Sequence, residues 1–459
     1  SRGGRRLVQR LGEEIATPSR LEVTMTPAAV PDPVRQAGLA RLERFVPAAG
    51  SQYARTRNFD FGPDRRGNTS VLSPYIRHRL VTETEVLSEV LRAQSLRDAG
   101  KFVDEVFWRT YFKGWLEQHP SAWSDYRHSV TQLFKELEAR QSLLDRYNSA
   151  TAGNTGIDCF DAWAKELVST GYLHNHARMW FASIWVFTLK LPWQLGADFF
   201  LRHLLDGDPA SNTCSWRWVS GLHTPGKTYL ARVSNIVNYT DGRFNPQGQL
   251  ATSAEPLTEA EPPRAEPLTE TDAPGLDGPF ALIITEEDCS PELDLLEHAP
   301  ESVLGLVTTR RRSIVPVGVP AYTFATGAVQ DAVARSSQAF GVDGAVMEAD
   351  YHHDDLVEWA VSNHCRTLVT AYAPVGPVAD FMDAAAEPLA QAGVRLVKAR
   401  RRFDSTAWPH ASRGYFRLKK AIPSILHELG IVPADTQPDV RMNSIEKQAT
   451  AVAMNRIPR

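Results

Sequence analysis

The sequence predicts two architectures in one chain: an all-helical region followed by a doubly wound parallel sheet. Three observations carry this. Apolar residues recur every three or four positions up to about residue 240, then in short strand-length runs after residue 279. A Pro- and Glu-rich segment separates the two regimes. Finally, 459 residues exceed what one hydrophobic core ordinarily serves.

Residues 1–30 are basic and read as a mobile lead-in, without the apolar stretch a secretory signal needs. Residues 31–250 form the helical domain. Helical spacing runs through Leu80–Leu96, Phe102–Leu116, Val130–Leu144 and Phe160–Val168. Asp208-Pro209 is a helix start, because Asp accepts from free N–H groups and Pro fits the first turn. Residues 251–278 form an acidic linker, in which Ala254-Glu-Pro-Leu-Thr-Glu259 recurs as Ala265-Glu-Pro-Leu-Thr-Glu270. Such a segment has too little apolar surface to order itself.

Residues 279–435 alternate strands and helices. Strands are expected at Phe280–Ile284, Val303–Val307, Val315–Val319, Thr367–Ala371 and Val394–Val397. Helices are expected at Ala328–Phe340, Leu356–Ser362, Val378–Ala392 and Gly414–Leu429, and the alternation implies a parallel sheet. Residues 436–459 read as a tail.

With 43% hydrophobic and 23% charged residues the composition is that of a globular chain. The net charge of -4 hides an asymmetry. Residues 51–250 carry 23 Lys and Arg against 20 Asp and Glu, whereas residues 251–278 carry one Arg against seven acids. A nucleic-acid surface on the helical region is therefore permitted. The apolar run Met179–Leu189 is too short to span a bilayer, so no membrane is expected.

Cys159, Cys214, Cys289 and Cys365 stand far apart, which fits reduced thiols in the cytoplasm and excludes a disulfide framework. No metal is expected: His174 and His176 lack a third ligand, and the adjacent histidines of Tyr351-His-His-Asp-Asp355 should point apart in a solvated loop.

Nine of the eleven tryptophans lie between Trp108 and Trp218, interleaved with Asn, Arg and paired Asp. Polar groups among buried rings need partners, and this combination suits a redox or light-driven site. In Asn68-Thr-Ser-Val-Leu-Ser-Pro-Tyr75, hydroxyls and amides opening a helix suit a phosphate, though an ordinary helix cap has the same residues. Glu105, Trp108, Arg109 and Phe112 share one helical face, as they would in any amphipathic helix with a Glu–Arg pair. Asp206-Gly-Asp208-Pro-Ala-Ser-Asn212 lacks the spacing and terminal Glu of a calcium loop.

In order and spacing, Asp161-Ala-Trp163, Thr170–Met179, Asp206–Asn212 and Trp216-Arg-Trp218 resemble the FAD-binding domain of DNA photolyases and cryptochromes. The resemblance implies FAD as cofactor. Tyr53, Thr69, Ser70, Leu72 and Ser73 would hold its phosphates, and Phe102, Glu105, Arg109, Asn175 and Asp208 would also line it. Arg178 would pair with Asp206 beside the isoalloxazine, and Asn212 would face flavin N5. An uncharged amide there accommodates an anionic reduced flavin, where a carboxylate would repel it.

Glu105 would hydrogen-bond the damaged pyrimidine, its carboxyl raised by burial, while Trp108 and Trp218 stack on flipped bases. Met179 would pack on the dimer, and Trp108, Arg109, His176 and Trp218 would contact DNA. Trp216 and Trp193 match the first two members of the family's electron-transfer chain. The third falls near Glu136–Leu137, where no tryptophan stands, leaving Trp115, Trp123, Tyr147, another aromatic or a different electron route as alternatives.

There are departures. Val71 and His176 each stand where the family has Arg, and the α/β antenna domain, which the family places first, would come last. A circular permutation explains that order, and an unrelated fused domain is the alternative. An antenna chromophore of unknown identity would lie beyond the carboxyl ends of the strands, near Glu286 or Thr308. The implied function is FAD-dependent, blue-light-driven repair of cyclobutane pyrimidine dimers in UV-damaged DNA, that of a deoxyribodipyrimidine photo-lyase. The alternative is a cryptochrome-like photoreceptor signalling to a protein partner.

Overall fold

A computed structural model of the chain describes residues 30–271, 278–293, 295–296, 298–348 and 352–431. The expected lead-in (but for residue 30), the expected tail, linker residues 272–277 and Tyr351 lie outside the described residues. From Arg35 to Tyr239 every regular element is a helix, and all five strands follow. No helix among the described residues is long and apolar enough to cross a membrane.

Local chemistry sets the helix bounds. Thr82 and Glu85 form a capping box that starts the Glu83–Ala93 helix, inside the expected Leu80–Leu96. Ser95 accepts from the Asp98 N–H and opens the 22-residue Leu96–Glu117 helix, the spine of the site. The expected Val130–Leu144 helix is two, Ser121–Ala139 and Gln141–Ala152, parted where Arg140 leaves the helical conformation. Apolar spacing continues across that break and so hides it. Asp208 caps the Pro209–Val219 helix, with Pro in its first turn, where the sequence placed it.

The strands are β1 Ala281–Thr285, β2 Ser302–Val307, β3 Gly344–Glu348, β4 Thr367–Ala371 and β5 Arg395–Ala399. They lie in the order β3-β2-β1-β4-β5, all parallel, with the chain reversing direction of addition beside β1. The expected strand Val315–Val319 does not form. Pro316 lacks an N–H, and Gly318 caps the Val319–Phe340 helix, which begins nine residues before its expected start. Instead β3 supplies the fifth strand, an exposed edge whose Gly344-Ala-Val start gave little apolar signal.

Alternate residues face opposite ways. Leu282, Ile284, Val303 and Val307 join the Val319–Phe340 helix in a core continuous with the helical region. Ala281, Ile283, Leu304 and Leu306 face the helices His353–Ser362 and Pro377–Gln391. The two halves are locked together by buried charge pairs. Arg77 donates to both Glu287 oxygens (2.8 and 2.6 Å), Arg79 donates to both oxygens of Asp404 (2.7 and 2.8 Å), and Arg79 also stands 3.5 Å from Asp288. Gly114 allows the spine helix to touch the Trp408–Ala411 turn, since a Cβ there would lie 2.8 Å from that of Ala411.

The linker, expected to be unordered, is docked through residue 271. Leu257 N–H donates to the Ser220 carbonyl, Glu266 N–H to that of Gln118, and Arg217 holds Glu259 at 2.6 Å. Its acids and backbone supply the anchoring that its few apolar side chains do not.

Candidate functional site

A cavity of about 620 Å³ opens between the spine helix, the Asn175–Ser183 and Pro209–Val219 helices and the Gly414–Phe416 segment. Its lining gathers Tyr53, Thr69, Ser70, Ser73, Phe102, Glu105, Trp108, Arg109, Asn175, His176, Arg178, Met179, Asp206, Asp208, Asn212, Trp216 and Trp218. Residues scattered over more than 160 positions of sequence thus meet in one place.

One expected cofactor-binding residue is elsewhere. Leu72 is fully buried in the core and does not line the cavity; the positive φ of Val71 (49°) turns the chain so that Val71 faces it instead. A β-branched residue in the left-handed region is strained, a condition that clusters at functional sites. The helix after it, Ser73–Arg77, has only five residues, so it supplies little dipole for a phosphate. Trp193 lies outside the cavity wall, its ring stacked on Tyr126 at 5.8 Å. Tyr126 in turn meets Trp123 at 5.4 Å. Of the three outer aromatics named, Trp123 is therefore the one joined to Trp193. Trp115 stacks on His119, and Tyr147 meets Trp185.

At the floor, Arg178 donates to both oxygens of Asp206 at 3.0 Å, and Arg109 stands 3.8 Å away. Burial pushes the Asp206 carboxyl up, but Arg178 and Arg109 outweigh it and hold the group below its ordinary value. Asp208 is buried as well. There the charges of Lys113, Arg109 and Arg77 overcome burial and hold the carboxyl far down. Both aspartates are thus fixed anions inside an apolar wall.

The Asn212 amide donates to the Ala197 carbonyl at 2.7 Å, while its oxygen has no protein partner among the described residues. Ser211 Oγ and His223 Nδ1, both on the cavity wall, are buried without a hydrogen bond. Gly196 leaves room for Trp216, whose Cη2 would lie 2.3 Å from an added Cβ.

On the wall above, Glu105 pairs with Arg57, which the sequence marked only as part of a motif. Burial raises the Glu105 carboxyl, as expected, and the Arg57 charge pulls it back. His174 Nε2 donates to the Arg57 carbonyl (3.0 Å) and its Nδ1 accepts from His176 N–H (3.2 Å), so the ring is neutral; burial holds its pKa at about 4. His176 does not reach outward freely. Its Nδ1 donates to the Asn58 carbonyl at 2.8 Å, its ring lies between Trp180 and Tyr239, and burial lowers its pKa.

One ring was not foreseen. Tyr415, at the start of the Tyr415–Glu428 helix, stacks on Trp108 with centroids 3.7 Å apart and planes 11° from parallel. Its hydroxyl donates to Asp104 (3.0 Å to the carbonyl). One face of Trp108 is therefore covered, while the residue still lines the cavity. No local signal could have shown it, since the partners are 307 positions apart in sequence.

Residues 102–253 match the family model for the FAD binding domain of DNA photolyase. This segment belongs to the DNA photolyase and cryptochrome family. The curated relatives agree: the chain is 29% identical over 216 residues to a deoxyribodipyrimidine photo-lyase of Neurospora crassa, covering 46% of this chain and 34% of that protein. It is 34% identical over 195 residues to that of Streptomyces griseus (42% and 40% covered). To that of Escherichia coli it is 28% identical over 218 residues (47% and 44%). The chain thus spans less than half the length of these relatives. Among solved structures it is similar to a Synechocystis cryptochrome, with a TM-score of 0.38, 22% identity and 45% and 43% covered. A class III photolyase from Agrobacterium tumefaciens gives 0.38, 24%, and 50% and 48%.

FAD is the cofactor of this family segment, and the cavity fits it. The volume lies in the range of cofactor pockets, and the Asn212 oxygen, the Arg178–Asp206 pair and Thr69, Ser70 and Ser73 supply polar groups on its lining. Tyr53 and the Thr69–Ser73 hydroxyls lie outside the matched segment yet reach the same cavity.

The expected antenna crevice near Glu286 is filled. Glu286 accepts from Thr308 N–H and from the Thr308 and Thr309 hydroxyls, all buried. A second cavity, about 360 Å³, lies instead past the carboxyl ends of β4 and β5, lined by Tyr372, Met382, Lys398 and linker residues Glu266–Thr271. His352 and His353 do not point apart: their rings lie 4.0 Å from one another, and with Asp354 they form an exposed cluster with ligand atoms within 4.8 Å.

Proposed function

We propose that the cavity holds FAD together with a cyclobutane pyrimidine dimer flipped out of DNA, and that the chain repairs the dimer under blue light. The observation that carries this is the convergence of Glu105, Asn175, Met179 and Trp218 with Arg178, Asp206 and Asn212 in one cavity. The chemistry that bound FAD supplies is light-driven electron donation to the dimer and recovery of that electron, with no net oxidation.

The residues of the chain do the rest. Asp206, fixed by Arg178, would accept from N–H groups of the ring system, and the Asn212 oxygen would offer a neutral neighbour that does not repel negative charge. Glu105 and Arg57 together present a proton donor to a pyrimidine carbonyl: Glu105 when protonated, Arg57 always. Met179 and Trp218 supply the apolar surface that keeps water from the dimer. Trp216, on the cavity lining and buried against Phe200 and Trp185, would pass electrons to the cofactor when it is reduced. We also propose that the sheet-bearing half is the family's antenna domain in permuted order; its doubly wound topology and its docking on the spine helix support this.

A second reading, a blue-light sensor with a protein partner, draws support from Tyr415, because a sensor needs no free Trp108 face. Flavin spectra of the purified protein, with and without a dimer-containing oligonucleotide in the dark, separate the two. Repair requires the dimer to change the flavin absorbance, and undamaged DNA to change it less. An unaltered spectrum at saturating damaged DNA overturns the repair reading.

A further inference from the structure

Phe416 is 74% exposed, lines the mouth of the cavity and follows the Tyr415 that covers Trp108. It belongs to the sheet-bearing half, not to the segment that carries the cofactor residues. Lys420 stands four residues further on the same helix, Arg417 beside them, and Arg413 just before the first turn. All four side chains are exposed.

The acidic neighbour is already taken: Asp104 binds Lys419 at 2.8 Å and accepts from Tyr415. Arg417 donates only to Ser412 Oγ (2.9 Å), and Arg413, Arg417 and Lys420 form no ion pair among the described residues. A bare ring amid three unpaired cations at a cavity mouth joins an apolar face to positive charge of one sign. It matches a nucleic-acid strand, which offers a base face to the ring and phosphates to the cations.

We propose that Arg413, Phe416, Arg417 and Lys420 form a second DNA-contact element at the cavity mouth, supplied by the sheet-bearing half. Phe416 takes over outward the stacking that Tyr415 denies to one face of Trp108, and the cations hold the flanking phosphates. The element rests on the reading of the cavity as a site for damaged DNA, and it explains why the two halves are held rigidly together by buried ion pairs: both must meet one strand.

The test is fluorescence anisotropy of FAD-loaded full-length protein with a dimer-containing oligonucleotide and its undamaged counterpart, across a salt series. Phe416→Ala should weaken binding to both about tenfold, since stacking is tolerant of sequence, and Phe416→Trp should restore it. Arg417→Gln with Lys420→Gln should flatten the salt slope by about two units, with flavin absorbance unchanged. If wild type binds and all variants match it in affinity and slope, the element does not exist, while the reading of the cavity stands. If wild type binds neither oligonucleotide at low salt, both fall.

Discussion

Asp208 offers the sharpest dissection of the site. It is 2% exposed; Oδ1 accepts from the Ser211 N–H at 2.7 Å, and Oδ2 lies 3.4 Å from Arg109 and 3.6 Å from Lys113. Asp208→Asn keeps the cap acceptor and the volume but removes the charge. Of its ion pairs within 4 Å, Lys113 then retains only Glu287, at 3.9 Å, and its ammonium already lacks a hydrogen bond. Stranding buried cations in this way costs about 3–5 kcal/mol. Asp208→Ala should lose roughly 1 kcal/mol more, the worth of the cap. Because the capped helix carries Asn212 and Trp216, flavin should leave at lower urea in both variants.

The pH dependence has a definite sign. Burial opposes ionisation of Asp208 but its cations depress the folded value, so its stabilisation is fully present above the unfolded value of about 3.9 and is lost as pH falls below it. Wild type should therefore soften below about pH 4 more steeply than Asp208→Asn. Urea unfolding, followed by tryptophan fluorescence and flavin release at pH 7 and in acid, measures this. An Asp208→Asn stability within about 0.5 kcal/mol of wild type at pH 7 would refute the reasoning.

Three further outcomes follow from the geometry. Gly196→Val forces the Trp216 ring to move and should destabilise by about 1–3 kcal/mol with a shifted flavin spectrum; thermal melts and absorbance check it. Trp216→Phe should slow photoreduction of the bound flavin at least roughly tenfold, the effect of about 1.4 kcal/mol on a barrier. It should spare repair by chemically pre-reduced protein, and parallel loss of both would make Trp216 structural. Asn212→Asp should make the flavin harder to reduce by on the order of 2–4 kcal/mol through like-charge repulsion, read as a more negative midpoint potential. An unchanged potential would remove Asn212 from the flavin ring.

Much of the site was legible because its residues sit in short motifs on helices whose faces the spacing defines. Asp208 at its cap and Glu105, Trp108 and Arg109 on one face follow from local rules. What was hidden depends on tertiary contact. Tyr415 reaches Trp108 only once the sheet-bearing half has docked. The left-handed turn at Val71, which sends Leu72 into the core, is set by surroundings rather than by a β-branched residue's own preference. In the sheet, Thr367–Ala371 was found at its observed bounds because it is buried and β-branched, whereas the exposed edge Gly344–Glu348 had no such pattern. The Val315–Val319 run was apolar enough to mislead, but Pro316 weakens a strand there and Gly318 with Pro320 starts a helix.

The central claim is light-driven repair at this cavity. Its most direct measurement is the recovery of intact thymines from a dimer-containing oligonucleotide incubated with flavin-reduced protein under blue light, beside a dark control. The account predicts multiple turnovers in light and none in the dark. Protein that carries FAD and binds the damaged strand, yet restores no thymines on illumination, would contradict it.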